Sequence, residues 1–252
     1  MSPTKNYLTV ARIGDLRRIS KFNYPVTCGL IVDGFTEDAA KSIQAIKKFA
    51  PTDTCIAILA LGEIDIAPLA NESDDRTIVI HIQGGAGWGE AANTLLKFSP
   101  SPIMVIMDPS TIFTGDPISP VVEKFTEDVW SVIGWHGGLI NIEDEWRSVT
   151  DVGPGEVDVI FSYFMAMKVE DALGATGFNI RAAYYRNADI EFSLRVRQGY
   201  GRLLQMDLPL EQARHHGYYD TEPEYRDAQS KKTYDRILDR FRGKNEILVP
   251  RR

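Results

Sequence analysis

The chain alternates short, almost unbroken apolar runs with segments whose apolar residues recur every three or four positions. Residues 26–32, 54–61, 77–82 and 102–107 are continuous apolar runs rich in Val, Ile, Leu and Ala. Runs of this length without polar alternation predict strands buried on both faces. Between them, 37–49 carries Ala40, Ile43 and Ile46 at helical spacing, and 90–98 follows as a second helix. A polar loop, a short helix over 121–125 and a further apolar run over 129–133 come next. This rhythm predicts an α/β domain with a mostly parallel central sheet and helices on both faces.

After Trp135 the rhythm changes. Gly137 and Gly138 break the chain, Glu143, Asp144 and Glu145 form an acidic cluster, and Gly153, Pro154 and Gly155 form a loop. Residues 157–167 then predict a strand, 169–173 a short helix ended by Gly174, and 189–197 a helix stopped by Gly199. In the last helix Thr221 and Glu224 have capping-box spacing, Pro223 lies in the first turn, and Tyr234, Ile237, Leu238 and Phe241 form an apolar stripe that Gly243 ends. Residues 1–25 are polar and mixed, and Leu16 and Ile19 suggest a leader lying against one domain that spans 26–252.

Composition narrows the function classes. Of 252 residues, 44% are hydrophobic and 25% charged, the balance of a folded globular protein. A net charge of −7, from 35 acidic and 28 basic residues, argues against a surface built to grip nucleic acid. The basic residues near the end, among them Lys231, Lys232, Arg236 and Arg240, read as a solvated helix face. Cys28 and Cys55 both sit inside apolar runs, so buried thiols and a cytoplasmic location are expected rather than a disulfide. No run approaches the roughly 20 apolar residues of a membrane span, which leaves only peripheral membrane contact.

In an open parallel sheet, ligands bind beyond the carboxyl ends of the strands. Asp33, Glu63, the glycine loop Gly84 to Gly89 and Asp108 follow four apolar runs and become the first candidates. Gly85 and Gly87 could let backbone approach a phosphate or ribose, or could simply make a tight turn. Asp108, in Met107-Asp108-Pro109-Ser110-Thr111, could give a carboxylate oxygen to a hard cation on a diphosphate, or could cap a turn before Pro109. Asp189 and Glu191 open a helix, where the dipole favours ionised carboxylates that can act as bases. Ordinary preference for acids at helix starts explains the same pattern. His215 and His216 stand before the last helix, as metal ligands or as loop residues.

Taken in order, these elements resemble the family 2 glycosyltransferases of the GT-A fold, which transfer sugar from a nucleotide-diphosphate donor with inversion. The strand ending in Met107-Asp108-Pro109-Ser110 is similar to that family's DxD segment. Phe164-Met165-Ala166-Met167-Lys168 with Gly177-Phe178-Asn179 is similar to its acceptor-side strand and turn. The stretch from Ala188-Asp189-Ile190-Glu191 to Gln198-Gly199-Tyr200 is similar to its "EDxDLSLRLRRAGY" helix. Ser110 stands at the second acidic position of DxD, and Ala188 at the first acid of the ED pair.

The resemblance implies a Rossmann-like nucleotide-binding half over 26–111 and an acceptor and catalytic half over 112–252. It implies Mg2+ or Mn2+ held by Asp108, with His215 or His216 as further ligands, and Asp189 as general base with Glu191 beside it. Asp33, Glu63, Gly85, Gly87 and Ser110 would line the nucleotide site, and Lys231 or Lys232 would offset diphosphate charge. The acceptor would be a hydroxyl on a saccharide, a lipid-linked molecule or a small molecule. The alternative is a GT-A fold that has lost activity and serves as a nucleotide-sugar-binding or scaffold protein.

Overall fold

The computed structural model describes residues 6–213 and 222–251. In chain order its elements begin with β1 (Tyr7–Val10), β2 (Val26–Val32), α1 (Thr36–Phe49), β3 (Thr54–Leu61), α2 (Ala67–Asn71), β4 (Thr77–Ile82) and α3 (Trp88–Phe98). They continue with β5 (Ile103–Met107), β6 (Thr111–Phe113), α4 (Ile118–Phe125), β7 (Val132–Gly134), β8 (Gly137–Ile140), β9 (Val149–Thr150), β10 (Gly155–Val157) and β11 (Val159–Ile160). The last are β12 (Phe164–Lys168), α5 (Val169–Gly174), α6 (Ala188–Gln198), β13 (Leu203–Gln205), β14 (Leu210–Gln212) and α7 (Pro223–Phe241).

A nine-stranded sheet in the order β1-β4-β3-β2-β5-β12-β7-β13-β10 forms the centre. The half from β1 to β5 is parallel throughout, and β12 runs antiparallel between β5 and β7. Because side chains alternate across a strand, the unbroken apolar run of β3 feeds two cores at once. Cys55, Ala57, Leu59 and Leu61 pack toward Ala91, Leu95 and Leu96 of α3, while Ile56, Ile58 and Ala60 pack toward Ile43 and Ile46 of α1. Helices on both faces are thus the direct result of strands with no polar side. Burial drives the Cys55 thiol up to about 12, and both cysteines are unpaired and buried.

Three local patterns were not legible. Residues 7–10 of the leader pair in parallel with β4 as an edge strand, although Tyr7, Leu8 and Thr9 are exposed. Backbone pairing, not side-chain burial, holds that strand, and Leu16 and Ile19 then fold beneath it into the core. The run 157–167, read as one strand, is cut into the end of β10, β11 and β12, of which β10 and β12 belong to the central sheet and β11 to a small one. Asp158 makes the first cut. Wholly buried, it accepts hydrogen bonds from the Ile140 N–H (2.8 Å), the Val249 N–H (2.6 Å) and the Arg251 guanidinium (2.6 Å), which fastens the chain end to a small β11-β8-β9 sheet. The last helix begins at Pro223 without a side-chain cap, and Thr221 lies outside the described residues.

The glycine loop is shaped by packing. The Trp88 and Gly89 N–H groups donate to the carbonyls of Ala183 (3.1 Å) and Ala182 (2.9 Å), and a Cβ on Gly89 would fall 2.1 Å from the Asn179 carbonyl oxygen. That obstacle is backbone and cannot rotate away. Gly89→Ala is therefore expected to cost on the order of 1–3 kcal/mol or more, read as a lower urea midpoint with an unchanged slope.

Candidate functional site

Two connected hollows lie beyond the carboxyl ends of the central strands. The first is a narrow groove of about 60 Å³ whose walls include Asp33 after β2, Leu61 at the end of β3, Asp108 after β5, and Trp88 at the start of α3. The second is a cavity of about 630 Å³ between the small sheet, α6 and α7, with Asp189 in its wall. Asp108, Ser162 and Tyr185 line both, so the two hollows meet at these residues.

Asp108 is held from one side. Its Oδ1 accepts the Ser110 N–H (2.8 Å) and the Ser110 hydroxyl (2.5 Å), the turn geometry expected before Pro109. Ser110 is completely buried, and its Oγ in turn accepts a hydrogen bond from the Gln212 amide. The Thr111 hydroxyl donates to Gln212 Oε1 (3.0 Å) and to the Tyr163 carbonyl (2.8 Å), which fixes the amide's orientation. In this side chain Oδ1 is used by the turn, and Oδ2 has no donor among the described residues.

Asp189 stands in the first turn of α6, 7% exposed. Asn187 enters the helix with φ 68° and ties it to α7 through its amide, which donates to the Ser230 carbonyl (3.1 Å). Asp189 Oδ2 accepts the Ser162 N–H (2.9 Å) and the Ser162 hydroxyl (3.2 Å), and Oδ1 accepts the Ile190 N–H (2.8 Å). Burial raises the Asp189 pKa above the ordinary carboxylate value, and these donors pull it only partly back. Ala188, the departure from the acidic pair, is 1% exposed, so a carboxylate there would be desolvated in the core.

Residues 162–163 strap the two carboxylates together. Ser162 holds Asp189, while the Tyr163 carbonyl accepts the Asp108 N–H (3.3 Å). Burial first, then the charges of Asp189 and Asp108, raise the Tyr163 phenol's pKa.

The other candidates fall elsewhere. Glu63 is exposed and outside the walls of both hollows. Gly85, with φ +68°, and Gly87 shape the turn before α3, but Ala86 and Trp88 supply the wall, and the helix's leading N–H groups at Trp88 and Gly89 are already taken by carbonyls. The loop makes a tight turn, and Ala86 is the part of it that reaches the groove wall. Ser110, placed at the nucleotide by the resemblance, serves the Asp108 turn instead. Glu191 does not reach the cavity: it is 2% exposed and accepts from Asn179 (2.6 Å), Arg195 (3.3 Å) and Arg236 (3.2 Å), as the node of a buried ion-pair network. Lys231 and Lys232 are exposed on α7 outside both walls, and Lys231 pairs with Asp235 at 2.6 Å. His215 and His216 lie outside the described residues. Ser162, Tyr163, Tyr185 and Gln212 were missed, because a serine, two tyrosines and a glutamine carry no spacing signal.

Among the described residues no three His, Cys, Asp or Glu side chains cluster as a metal cage. Asp33 and Asp108 do bring two carboxylates to one groove. An all-oxygen, partly open donor set fits a hard divalent cation completed by diphosphate oxygens and water. None of the described helices is long and apolar enough to cross a membrane.

No family model matches the sequence, and no curated protein matches it. Solved structures do match. A mannosyltransferase from Pyrobaculum calidifontis, in complex with GDP-Man and Mn2+, superposes with a TM-score of 0.63 at 14% identity over 89% of this chain and 67% of its own. GalNAc-T7, with UDP, GalNAc and Mn2+, superposes with a TM-score of 0.64 at 12% identity over 87% of this chain. The chain spans about half, 48%, of the length of that second protein. The fold is accordingly that of the GT-A glycosyltransferases, as the order of elements led us to expect.

Proposed function

We propose that the chain transfers a sugar from a nucleotide-diphosphate donor to an acceptor hydroxyl, with inversion, in the manner of the family 2 glycosyltransferases. The observation that carries this reading is the strap at 162–163, which sets Asp108 at the groove and Asp189 at the cavity, on either side of one junction. The nucleotide lies across the groove beyond β2, β3 and β5, which at about 60 Å³ receives only part of it, with the diphosphate near Asp33 and Asp108. A bound Mg2+ or Mn2+ there would offset the charge of the departing diphosphate. The acceptor hydroxyl sits in the cavity and loses its proton to Asp189. Its oxygen bonds to the anomeric carbon as the bond to the diphosphate oxygen breaks on the opposite face.

Glycosyltransferase neighbours that hold nucleotide or nucleotide sugar with Mn2+ support the donor class. Asp189 lines the cavity, has no cationic partner among the described residues and accepts three hydrogen bonds of the about four a carboxylate can take, which leaves room for a hydroxyl and supports its role as base. A thermal-shift panel of nucleotide diphosphates and nucleotide sugars, with and without Mn2+, tests the reading. A true donor at about 100 times its Kd should stabilise the protein by about 2.7 kcal/mol. Absence of any shift across the panel would overturn it.

A further inference from the structure

The rim of the sheet that carries Asp33 and Asp108 continues past them. β12 runs antiparallel to both β5 and β7, and β13 runs parallel to β7, so the end of β7, the start of β12 and the end of β13 all lie on that same rim. There Tyr163, just before β12, meets the His136 ring edge-on with centroids 5.6 Å apart, and His136 lies 4.0 Å from Trp135. Phe161 packs edge-on against Tyr163 at 6.4 Å. Phe161 and Tyr163 line the large cavity, whereas Trp135 and His136 stand outside its walls. All four rings are half-buried: Phe161 rests on the apolar cluster beneath the small sheet and Trp135 on the core that faces α1, and each keeps part of its surface exposed. A row of aromatic rings therefore leads out of the cavity along the rim.

Open polar groups flank the outer rings. Asp151, just after β9, is near enough for its charge to act on His136. Its Oδ1 accepts the Gly153 N–H (2.8 Å) and the Gln205 amide (3.1 Å), whereas Oδ2 has no donor among the described residues. Gln205 is buried and pairs in register with Gly134, so it anchors Asp151 beside the Trp135–His136 turn. The His136 ring nitrogens have no hydrogen-bond partner among the described residues. Burial holds the His136 pKa below the ordinary histidine value despite Asp151, so near neutral pH the ring is uncharged, with one nitrogen that donates and one that accepts.

Resting on the glycosyltransferase reading, we propose that this row is a subsite for the outer sugars of a saccharide acceptor whose reacting sugar sits in the cavity with its hydroxyl at Asp189. A sugar ring has an apolar C–H face and hydroxyls around its rim. The C–H groups carry slight positive charge and pack on the negative face of an aromatic ring, while the hydroxyls exchange hydrogen bonds with polar groups beside it. Trp135 and His136 offer the first kind of surface. The His136 nitrogens and Asp151 Oδ2 offer the second. A purely apolar ligand would cover those polar groups without pairing them, which is expensive, and a ligand with no apolar face would gain nothing from the rings. Because Tyr163 belongs to both the cavity wall and the row, a chain of sugars can pass from one to the other without leaving protein surface.

Calorimetric titration of the full chain, in Mn2+ with UDP or GDP, tests this with the methyl glycosides of glucose, mannose, galactose and N-acetylglucosamine and with the di- and trisaccharides of each. At least one di- or trisaccharide is expected to bind about tenfold tighter than the methyl glycoside of its terminal sugar. Trp135→Ala and, separately, His136→Ala should bring that ratio toward unity, whereas Trp135→Phe, which keeps an aromatic face, should retain most of it. Nucleoside diphosphate affinity stays as in the wild type in all three. A wild-type ratio near unity in every series, or a panel in which no saccharide binds, overturns the inference, and nucleoside diphosphate still bound leaves the reading of the groove standing. A ratio that survives both alanine variants overturns it as well. So does a loss of nucleoside diphosphate affinity in Trp135→Ala, which would assign the rings to the donor. A wild type that binds no nucleoside diphosphate overturns both.

Discussion

Asp189→Asn is expected to lower turnover by about 100-fold or more while changing donor affinity little, because the amide keeps the side chain's size but cannot take a proton. Glu191→Gln is the contrast. Glu191 faces Arg195 and Arg236 instead of the cavity, so its loss should show in thermal stability before it shows in rate. The pH profile gives an independent reading of the same base. Asp189 must be ionised to accept a proton, and burial raises its pKa, so kcat/KM should fall as pH drops through a midpoint above the ordinary carboxylate range. The Ser162 hydroxyl favours the ionised form, so Ser162→Ala should raise that pKa further and move the acidic limb to higher pH. An acidic limb that stays in place in Ser162→Ala, together with near wild-type turnover in Asp189→Asn, would make Asp189 a structural acid.

The parallel half of the sheet was legible because its strands are buried on both faces, and burial on both faces leaves an unbroken apolar run. The same rule concealed the second half. Asp158, a single buried carboxylate within an apolar stretch, separates β10 from β11, and no spacing rule distinguishes it from a surface acid. In the site, the carboxylates at strand ends and helix starts could be found from position. Their partners could not. Ser162 reaches Asp189 over 27 positions and Gln212 reaches Ser110 over 102, so only the assembled fold brings them together. Glu191 shows the converse error. It has the local pattern of a helix-start acid, yet the rotation of about 100° per residue turns it from the cavity into the packing between α6 and α7.

Asp108 has two roles that substitution can separate. Asp108→Ala removes the acceptor for the Ser110 N–H and hydroxyl along with the charge, so it should lose about 0.5–2 kcal/mol of stability as well as any bound cation. Asp108→Asn keeps an oxygen at Oδ1 for Ser110 and so preserves the turn, but it removes the negative charge that a hard cation requires. If Asp108 is a ligand, both variants should abolish the Mn2+-dependent part of nucleoside diphosphate binding, while only the alanine variant melts appreciably earlier in the absence of metal. Ser110 occupies Oδ1, so Oδ2, which has no donor among the described residues, is the oxygen left to meet a cation. Titration calorimetry with and without EDTA reads the metal-dependent part, and a metal-free melt reads the turn. An Asp108→Asn variant that binds nucleoside diphosphate as tightly as the wild type in Mn2+ would assign Asp108 to the turn alone and leave the groove without a metal ligand at the end of β5.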